Sequence, residues 1–394
     1  MRIESQKETL NKILHNNNML DVASIKRVLI LHEEEFDIIG DWVIRFHKLT
    51  YLKGFLQNAA ITINFTAAGH NMLSDALLKN NPHLHAITAM KWQEIDFEQY
   101  DFILTVSYNE QAILAYLDQR YGSSIQCGAF RICVFTMSYF MLKPKEGVVF
   151  LFPLNRELGL YSEKMGTPIE LYISKEEQQW ADAWLREKGL KENEQLFIIL
   201  DSASKRDKLL SIPVYYELLL DLLLRDNVKV LNFDEMNMGK EKFYTELLGA
   251  IHMEKFIFSK GLNLREAICL LGSSQVKLIL GPCTGLMHCA SGIYNNYVRN
   301  GLNRAQVPVL IVYTGKYKQD AGNVYLWWNN NPLMNILVIR KRNNDKTMLL
   351  MDDLTDEEKI KNDGLTCDEY TARMLTEFVD QKIPKFPSMR ALHV

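Results

Sequence analysis

The chain has 394 residues, which exceeds the usual length of one domain and predicts two domains. Hydrophobic residues make up 47% and charged residues 24% of the sequence, which excludes a disordered, collagen-like or disulfide-dense protein. The formal net charge of -3 gives no basis for binding nucleic acid, because proteins that bind a phosphate backbone normally present a basic face.

The six cysteines show no CxxC pairing, and the N-terminal sequence lacks the basic and then apolar pattern of a signal peptide. We therefore expect a reduced, cytoplasmic protein. No stretch approaches the roughly 20 apolar residues of a membrane-spanning helix, since the Leu-rich run 218–224 ends in Arg225 and Asp226. Any membrane contact, for example at an inner membrane, is expected to be peripheral.

Residues 1–24 are polar and rich in asparagine, with a weak helical pattern, and are predicted to be an N-terminal extension. The ordered core is predicted to begin at Val28. From there, short runs of β-branched and aromatic residues alternate with helical segments, which is typical of a parallel sheet with crossover helices. The predicted strands of this first part are Val28–Leu31, Ala60–Phe65, Phe102–Val106, Ile132–Phe135 and Val148–Phe152.

A second set of strands follows a predicted helix at 175–188. Its members are Leu196–Leu200, Val228–Phe233, Phe256–Phe258, Val276–Leu280, Val309–Tyr313 and Ile336–Ile339. Two such sets predict an α/β protein with two Rossmann-like, doubly wound parallel-sheet domains, at 25–168 and 169–365, and a cleft between them.

The last part of the chain is predicted to lie outside the second sheet. Residues 341–364 are charged and weakly periodic, and are predicted to be a surface excursion with a short helix. Thr366 and Glu369 have the spacing of a capping box, and apolar residues at helical spacing follow. Residues 366–394 are therefore predicted to form a C-terminal helix of about four turns and a tail.

The first segment that could carry chemistry joins the strand at Val28 to a helix through an acidic loop. Gly40 and Asp41 place a carboxylate near the start of that helix. A carboxylate in this position can act as a general base for a substrate hydroxyl. An aspartate in the first helical turn is also favourable to the helix dipole and needs no further role.

A second segment runs from the strand at 196–200 into a polar loop, with Pro213 at a tolerated first-turn position of the next helix. The loop contains Lys205, Arg206 and Lys208, which can neutralise a leaving diphosphate. Three basic residues in a loop are also common on an ordinary solvated surface.

The most informative segment is the apolar strand from Val276, which enters a Gly/Pro turn before Thr284 begins a helix. Such a turn directs free backbone N–H groups and the positive helix end toward one point, which suits a phosphate. Gly285 allows a ligand to approach the backbone closely, at the carboxyl end of a strand, where ligands bind in parallel sheets. The alternative is a helix cap alone, with His288 a packed helical residue.

Taken in order, these segments resemble the heptosyltransferase-like glycosyltransferases of family 9, which have the GT-B fold, over most of residues 25–380. The resemblance rests on six matches, which are Gly40-Asp41, Pro168–Glu177, Ser202–Pro213, Gly261–Glu266, Cys283–His288 and Val307–Tyr313. It implies inverting, metal-independent transfer of a sugar, heptose included, from a nucleotide diphosphate donor to a glycan or lipopolysaccharide-type acceptor. The nucleotide sugar is then a substrate, and no cofactor is implied.

Carried over residue by residue, the resemblance implies that Asp41 is the catalytic base, which deprotonates the acceptor hydroxyl. A ribose-binding acid is expected after the strand at 228–233, where Glu235 is the alternative to Glu241. The donor-binding residues implied by the resemblance are Lys208, the less closely matched Lys205, Thr284, Gly285, His288 and Glu241.

The chain departs from the family pattern at three places. Cys283 stands where the phosphate turn of the family has an acid, and the Lys-Trp-Pro-like signature is diluted in the segment 208–213. The loop before Gly40 is acidic, which would repel a phosphorylated lipid-sugar acceptor and favours an acceptor that is neutral or different in kind. Two alternatives therefore stay open: a non-catalytic protein that binds a sugar nucleotide or a protein partner, and a sugar-nucleotide epimerase or hydrolase.

No Asp-x-Asp pair and no cluster of His or Cys ligands in the sequence predicts a metal site. His83 and His85 are two residues apart, so on a strand they would face opposite sides. We interpret them as ordinary surface residues.

Overall fold

The computed structural model describes residues 2–33, 38–66, 70–107, 109–137, 149–150, 154–234, 237–316, 327–328, 331–342, 345–361 and 364–385. The chain divides into two compact units. Unit 1 comprises Met1–Asp37 and Ile44–Thr167, and unit 2 comprises Ile38–Val43 and Pro168–Val394. The division after Thr167 lies beside the predicted boundary at 168–169, but residues 38–43 group with the second unit.

Unit 1 contains a five-stranded parallel sheet in the order β3-β2-β1-β4-β5. Its strands are β1 Arg27–His32, β2 Ala60–Phe65, β3 Ala86–Thr88, β4 Phe102–Val106 and β5 Cys133–Thr136. The predicted strands corresponding to β1, β2, β4 and β5 are confirmed to within one residue at each end. Of the predicted strand Val148–Phe152, only Val149 and Phe150 lie within the described part of the chain, and neither is in a strand.

The helices of the first part of the chain are α1 Arg2–Asn18, α2 Ile39–Phe46, α3 Lys48–Phe55, α4 His70–Leu78, α5 Glu110–Gln126 and α6 Leu154–Met165. Four of them, α2 to α5, connect these strands, whereas α1 precedes β1 and α6 follows β5. α2 begins with residues assigned to unit 2. The core of unit 1 forms where fully buried aliphatic residues of β1 and β4, such as Leu29 and Ile103, pack with Ile113 and Leu117 of α5.

The prediction that residues 1–24 are an extension outside the core is wrong for α1. Ile13 of this helix is fully buried within the core of unit 1. The side chain of Asn17 donates to the carbonyl oxygen of Val134 at 2.7 Å and accepts from its N–H at 3.0 Å. Polar helical residues therefore pair with the backbone of β5, a role that hydrophobic periodicity does not reveal.

We expect Asn17→Ala to lower the free energy of unfolding by about 2 kcal/mol, because it leaves a buried N–H and a buried carbonyl of β5 without these partners. Urea unfolding of the two proteins measures the difference. Asn18→Ala is the matched control, since Asn18 is exposed at the end of the same helix. Equal destabilisation by both substitutions would show that loss of helix-end asparagine, and not pairing with β5, is responsible.

Unit 2 contains a seven-stranded sheet in the order β12-β11-β10-β9-β6-β7-β8, in which only the β11–β12 pair is antiparallel among the strands described. Its strands are β6 Gln195–Ile199, β7 Val228–Asn232, β8 Phe256–Phe258, β9 Val276–Pro282, β10 Val309–Thr314, β11 Met334–Arg342 and β12 Asp345–Leu350. All six predicted strands are confirmed. β12 forms a hairpin with β11 inside the predicted surface excursion.

The helices of unit 2 are α7 Lys175–Glu187, α8 Ile212–Leu223, α9 Lys240–Leu248, α10 Ala250–Met253, α11 Leu264–Leu271 and α12 Gly285–Arg299, followed by Asp356–Lys361 and Ala372–Lys382. Most of them connect successive strands, as in a doubly wound fold, whereas α7 precedes β6 and the last two helices follow β12. The helix Asp356–Lys361 is the short helix predicted in the excursion. Within the part of the chain that the structure describes, no helix has the length and apolar content needed to cross a membrane.

The C-terminal helix begins later than predicted and is about three turns long. Thr366 precedes a 3-10 turn at Cys367–Glu369, and the N-cap of the helix is Thr371. Tyr370 separates the two elements in an extended conformation, with its ring buried and its hydroxyl donating to the carbonyl oxygen of Thr314 at 2.8 Å. This tertiary anchor overrides the capping-box spacing.

Candidate functional site

In the sheet of unit 2, the order in which the chain adds strands reverses at β6. From β6 the chain continues to β7 and β8 on one side, and it returns to β9 and β10 on the other. In open α/β sheets, ligands bind outside the carboxyl ends of the strands at such a switch point. The candidate site is therefore the region that follows the carboxyl ends of β6 and β9.

The turn after β9 leads directly into α12. Thr284 is the N-cap residue, in an extended conformation, and its carbonyl oxygen accepts the N–H groups of Met287 and His288. Its side chain makes no capping hydrogen bond. The first two backbone N–H groups of the helix, at Gly285 and Leu286, have no acceptor within the helix, as is general for helix N-termini. An anion placed here would meet both amides and the positive end of a helix of 15 residues.

Two helix N-termini meet at this turn within unit 2. A Cβ added to Gly285 would lie 2.8 Å from the Cβ of Ile39 and 2.9 Å from the backbone nitrogen of Gly40. A Cβ added to Gly40 would lie 3.2 Å from Cδ2 of His288. On the side where a Cβ would stand, the neighbour of Gly285 is the backbone at the start of α2, whereas the sequence predicts the approach of a ligand. The amides of Gly285 and Leu286 are a separate feature of the turn. Gly285 therefore allows two backbones to approach, and the positive ends of α2 and α12 converge.

Asp41 lies in the first turn of α2, next in sequence to this contact. Its side chain is half-buried, and residues 38–43 belong to the same unit as the turn. The structure therefore brings the predicted base into unit 2, together with the predicted donor turn. Its role as a base stays a prediction.

His288 is buried in the first part of α12, with Trp328 on one face of its ring and Cys283 beside its Nε2. The ring stacks on Trp328 with centroids 4.0 Å apart and planes 11° apart, and its Nε2 lies 4.0 Å from Sγ of Cys283. Burial, followed by the positive charge of Lys208, lowers the pKa of His288 to about 3. The imidazole is therefore neutral near neutral pH, and it can exchange hydrogen bonds but carries no charge.

This pKa has a consequence for acid stability. The folded pKa is about 3, below the ordinary value of 6.5. As the pH falls between these values, the unfolded chain binds a proton at His288 and the folded chain does not. We expect this residue to lower the free energy of unfolding by at most about 1.4 kcal/mol per pH unit in that window.

The test compares the wild-type protein with His288→Gln in urea unfolding at about pH 7 and about pH 5. The wild-type protein should lose more stability on acidification than the variant. His85→Gln is the control, because the side chain of His85 is exposed. A pH dependence that is the same in the wild type and in His288→Gln would contradict a neutral, buried His288.

Lys208 is the basic residue that the fold brings to this turn. It ends a 3-10 turn at Arg206–Lys208, and its Nζ lies 5.2 Å from the ring centroid of Trp327. Its charge also lowers the pKa of His288. Lys205 precedes the 3-10 turn and accepts the backbone N–H of Lys208 through its carbonyl oxygen at 3.2 Å.

The two acids that the sequence offers for binding the ribose follow β7. Glu241 is exposed in the first turn of α9, and its alternative Glu235 lies outside the described residues. The buried acid after β7 is Asp234, whose carboxylate accepts the backbone N–H groups of Met238 and Lys240 at 2.8 and 3.3 Å. Asp234 therefore shapes the loop that begins α9.

A polar cluster at the ends of β6 and β7 is not predicted from the sequence. Asp201 accepts from Nζ of Lys240 at 2.6 Å with one oxygen and from the hydroxyl of Tyr244 at 2.6 Å with the other. The Tyr244 hydroxyl in turn lies 2.7 Å from that of Tyr215. The signal in the sequence is position alone, because Asp201 and Asp234 both follow the carboxyl ends of strands.

Among known proteins, similarity to this chain was found only in solved structures. No protein-family model matches the chain, and no curated protein matches it by sequence. The structure of E. coli ADP-heptose lps heptosyltransferase II is similar over 90% of this chain and 98% of its own, with 14% identity and a TM-score of 0.54. A glycosyl transferase of family 9 from Veillonella parvula is similar over 80% of this chain and 87% of its own, with 13% identity and a TM-score of 0.51.

These similarities establish the fold. The predicted α/β class, with two Rossmann-like units of the GT-B type, is confirmed. The fold that the resemblance to family 9 implies is therefore the fold of this chain.

Proposed function

We propose that this chain is a glycosyltransferase that uses a nucleoside-diphosphate sugar as its donor. The observation that carries the proposal is the convergence, in unit 2, of the N-termini of α2 and α12 at Gly40 and Gly285. Two positive helix ends, with the ammonium of Lys208 beside them, form a site for a group of high negative charge. A diphosphate is such a group, and the carboxyl end of β9 is where a Rossmann-like unit binds it.

The proposed reaction is a single displacement. Asp41 accepts the proton of the acceptor hydroxyl, and the hydroxyl oxygen forms a bond to the anomeric carbon. The bond between that carbon and the diphosphate oxygen breaks, and its electron pair stays on the diphosphate. The amides of Gly285 and Leu286 and the ammonium of Lys208 stabilise this new charge in place of a metal. Because the transfer is a single displacement, it inverts the anomeric carbon.

The neutral state of His288 fits this scheme. A charged imidazolium would repel the ammonium of Lys208, whereas a neutral ring can exchange a hydrogen bond with a donor hydroxyl or phosphate oxygen. The similar E. coli enzyme is described as an ADP-heptose lps heptosyltransferase, so ADP-heptose is the first donor to test. A glycan or lipid-linked glycan is the corresponding acceptor class.

The first experiment measures thermal stability in the presence of ADP-, GDP- and UDP-sugars. A donor at about 100 times its dissociation constant should add about 2.7 kcal/mol of stability. The second experiment incubates the protein with the donor that binds, without an acceptor. A transferase should release little nucleotide, whereas a hydrolase would release it continuously and an epimerase would change the sugar. Absence of stabilisation by every donor would contradict the proposal.

One observation favours a second candidate, a sugar-nucleotide binding protein without turnover. Cys283 stands where the related turn carries an acid, and its thiol is buried 4.0 Å from Nε2 of His288. A buried thiol supplies no carboxylate to the donor sugar. Donor binding that is never followed by transfer to any glycan acceptor would support this second candidate.

A further inference from the structure

Two consecutive tryptophans contact two of the residues assigned to the donor site. The ring of Trp327 lies under the Lys208 ammonium, with Nζ 5.2 Å from its centroid. The ring of Trp328 stacks on His288 at 4.0 Å. One short segment of chain therefore holds both the ammonium and the imidazole that we assign to the diphosphate turn.

The two tryptophans differ in burial. Trp328 is fully buried, and within the described part of the chain neither its Nε1 nor Nδ1 of His288 has a hydrogen-bond partner. Trp327 and Lys208 are both half-buried. Trp328 is thus part of the packing around His288, whereas Trp327 and Lys208 each keep part of their surface exposed.

A lysine ammonium is carried on four flexible carbons, and ordering it at a ligand costs conformational entropy. The negative face of an indole attracts a cation placed within about 6 Å of its centroid. An indole that already holds the ammonium reduces the ordering that remains when the anion binds. The ring face makes no conventional hydrogen bond, so a cation–π contact is compatible with a hydrogen bond from the same ammonium to an oxygen acceptor.

We propose that Trp327 is a positioning residue for donor binding. Its ring holds the Lys208 ammonium beside the N-terminus of α12 before the nucleoside diphosphate arrives. Trp328 fixes the neutral ring of His288 next to it. This inference rests on the proposed function, because that function makes Lys208 the partner of the diphosphate.

The test measures the dissociation constants of ADP, GDP and UDP by calorimetry for the wild type, Trp327→Leu and Trp327→Phe. Leucine keeps an apolar side chain without a ring face, and we expect it to weaken binding of the preferred nucleotide about tenfold. Phenylalanine keeps a ring face and should stay within about threefold of the wild type. Trp184→Leu is the matched control, because Nζ of Lys188 lies 5.6 Å from that ring on α7, remote in sequence from the turn.

A double-mutant cycle with Lys208→Met shows whether Trp327 acts through the lysine. Once Lys208 is absent, Trp327→Leu should weaken nucleotide binding no further. Independent, multiplicative effects of the two substitutions would overturn the proposal, as would wild-type affinity in Trp327→Leu.

The same cycle on urea unfolding separates this inference from the proposed function. If the wild type binds none of the three nucleotides, the proposed function fails. The role of Trp327 in donor binding then fails as well. In that case, coupling between Trp327 and Lys208 in the free energy of unfolding still shows whether the two side chains are in contact. If the wild type binds a nucleotide but neither cycle shows coupling, the role of Trp327 is overturned and the proposed function stands.

Discussion

Asp41→Asn is expected to lower kcat for sugar transfer by about 10²- to 10⁴-fold, because an amide cannot accept the proton of the acceptor hydroxyl. Asparagine has nearly the same size, and the interaction with the helix dipole that it loses in the first turn of α2 is worth about 0.3–1 kcal/mol. We therefore expect donor affinity and thermal stability to stay close to those of the wild type. Initial rates with saturating donor and acceptor measure the effect.

The matched control is Asp75→Asn, which removes an exposed carboxylate from α4. It should transfer sugar at the wild-type rate. A transfer rate of Asp41→Asn equal to that of the wild type would assign the base to another residue. Loss of donor binding in Asp41→Asn would show that this carboxylate supports the fold of the turn and does not act on the acceptor.

Gly285→Ala is expected to weaken donor binding about 100-fold and to lower the free energy of unfolding by about 1–3 kcal/mol. The new methyl group would lie 2.9 Å from the backbone nitrogen of Gly40 and 2.8 Å from Cβ of Ile39. Backbone atoms cannot rotate away as a flexible side chain can, so the two helix ends must separate. Donor affinity and stability then change together, since the same contact holds the turn in place and brings the positive ends of α2 and α12 together.

Gly159→Ala is the control for this substitution. Gly159 lies within α6, and a Cβ there would meet no atom within 4 Å. Alanine has the higher helix propensity, so this variant should be as stable as the wild type or slightly more stable. Calorimetric donor titration and urea unfolding of both variants provide the comparison. Unchanged donor affinity in Gly285→Ala would contradict a diphosphate site at the meeting of α2 and α12.

The sheet of unit 2 is predictable from sequence because its central strands are buried on both faces and appear as continuous apolar runs. β9 and β10 show this character in residues such as Ile279 and Ile311, both of which are fully buried. β12 lacks it, since its residues are exposed or half-buried and it pairs on one side alone among the described strands. A strand of that kind has no hydrophobic signature to detect.

The site was predictable where chemistry depends on neighbours in sequence, and unpredictable where it depends on tertiary contacts. Thr284 and Gly285 follow a strand and begin a helix, so their position could be derived from the chain alone. The contact of Gly285 with Gly40 joins residues far apart in sequence, and only the folded backbone reveals it. Trp327 likewise reaches Lys208 through the fold, so an aromatic pair in the sequence carries no sign of its partner.

The pairing of Asn17 with Val134 has a consequence for how the chain is made. The two residues are separated by 117 positions, so a ribosome must release most of unit 1 before α1 finds its place. Until then, α1 is a polar helix without the apolar core that buries Ile13, and the N–H and carbonyl of Val134 lack the partner that Asn17 provides. A protein shortened by the segment that ends at Asn18 should therefore associate through that backbone and precipitate, even though every residue of the candidate site is retained.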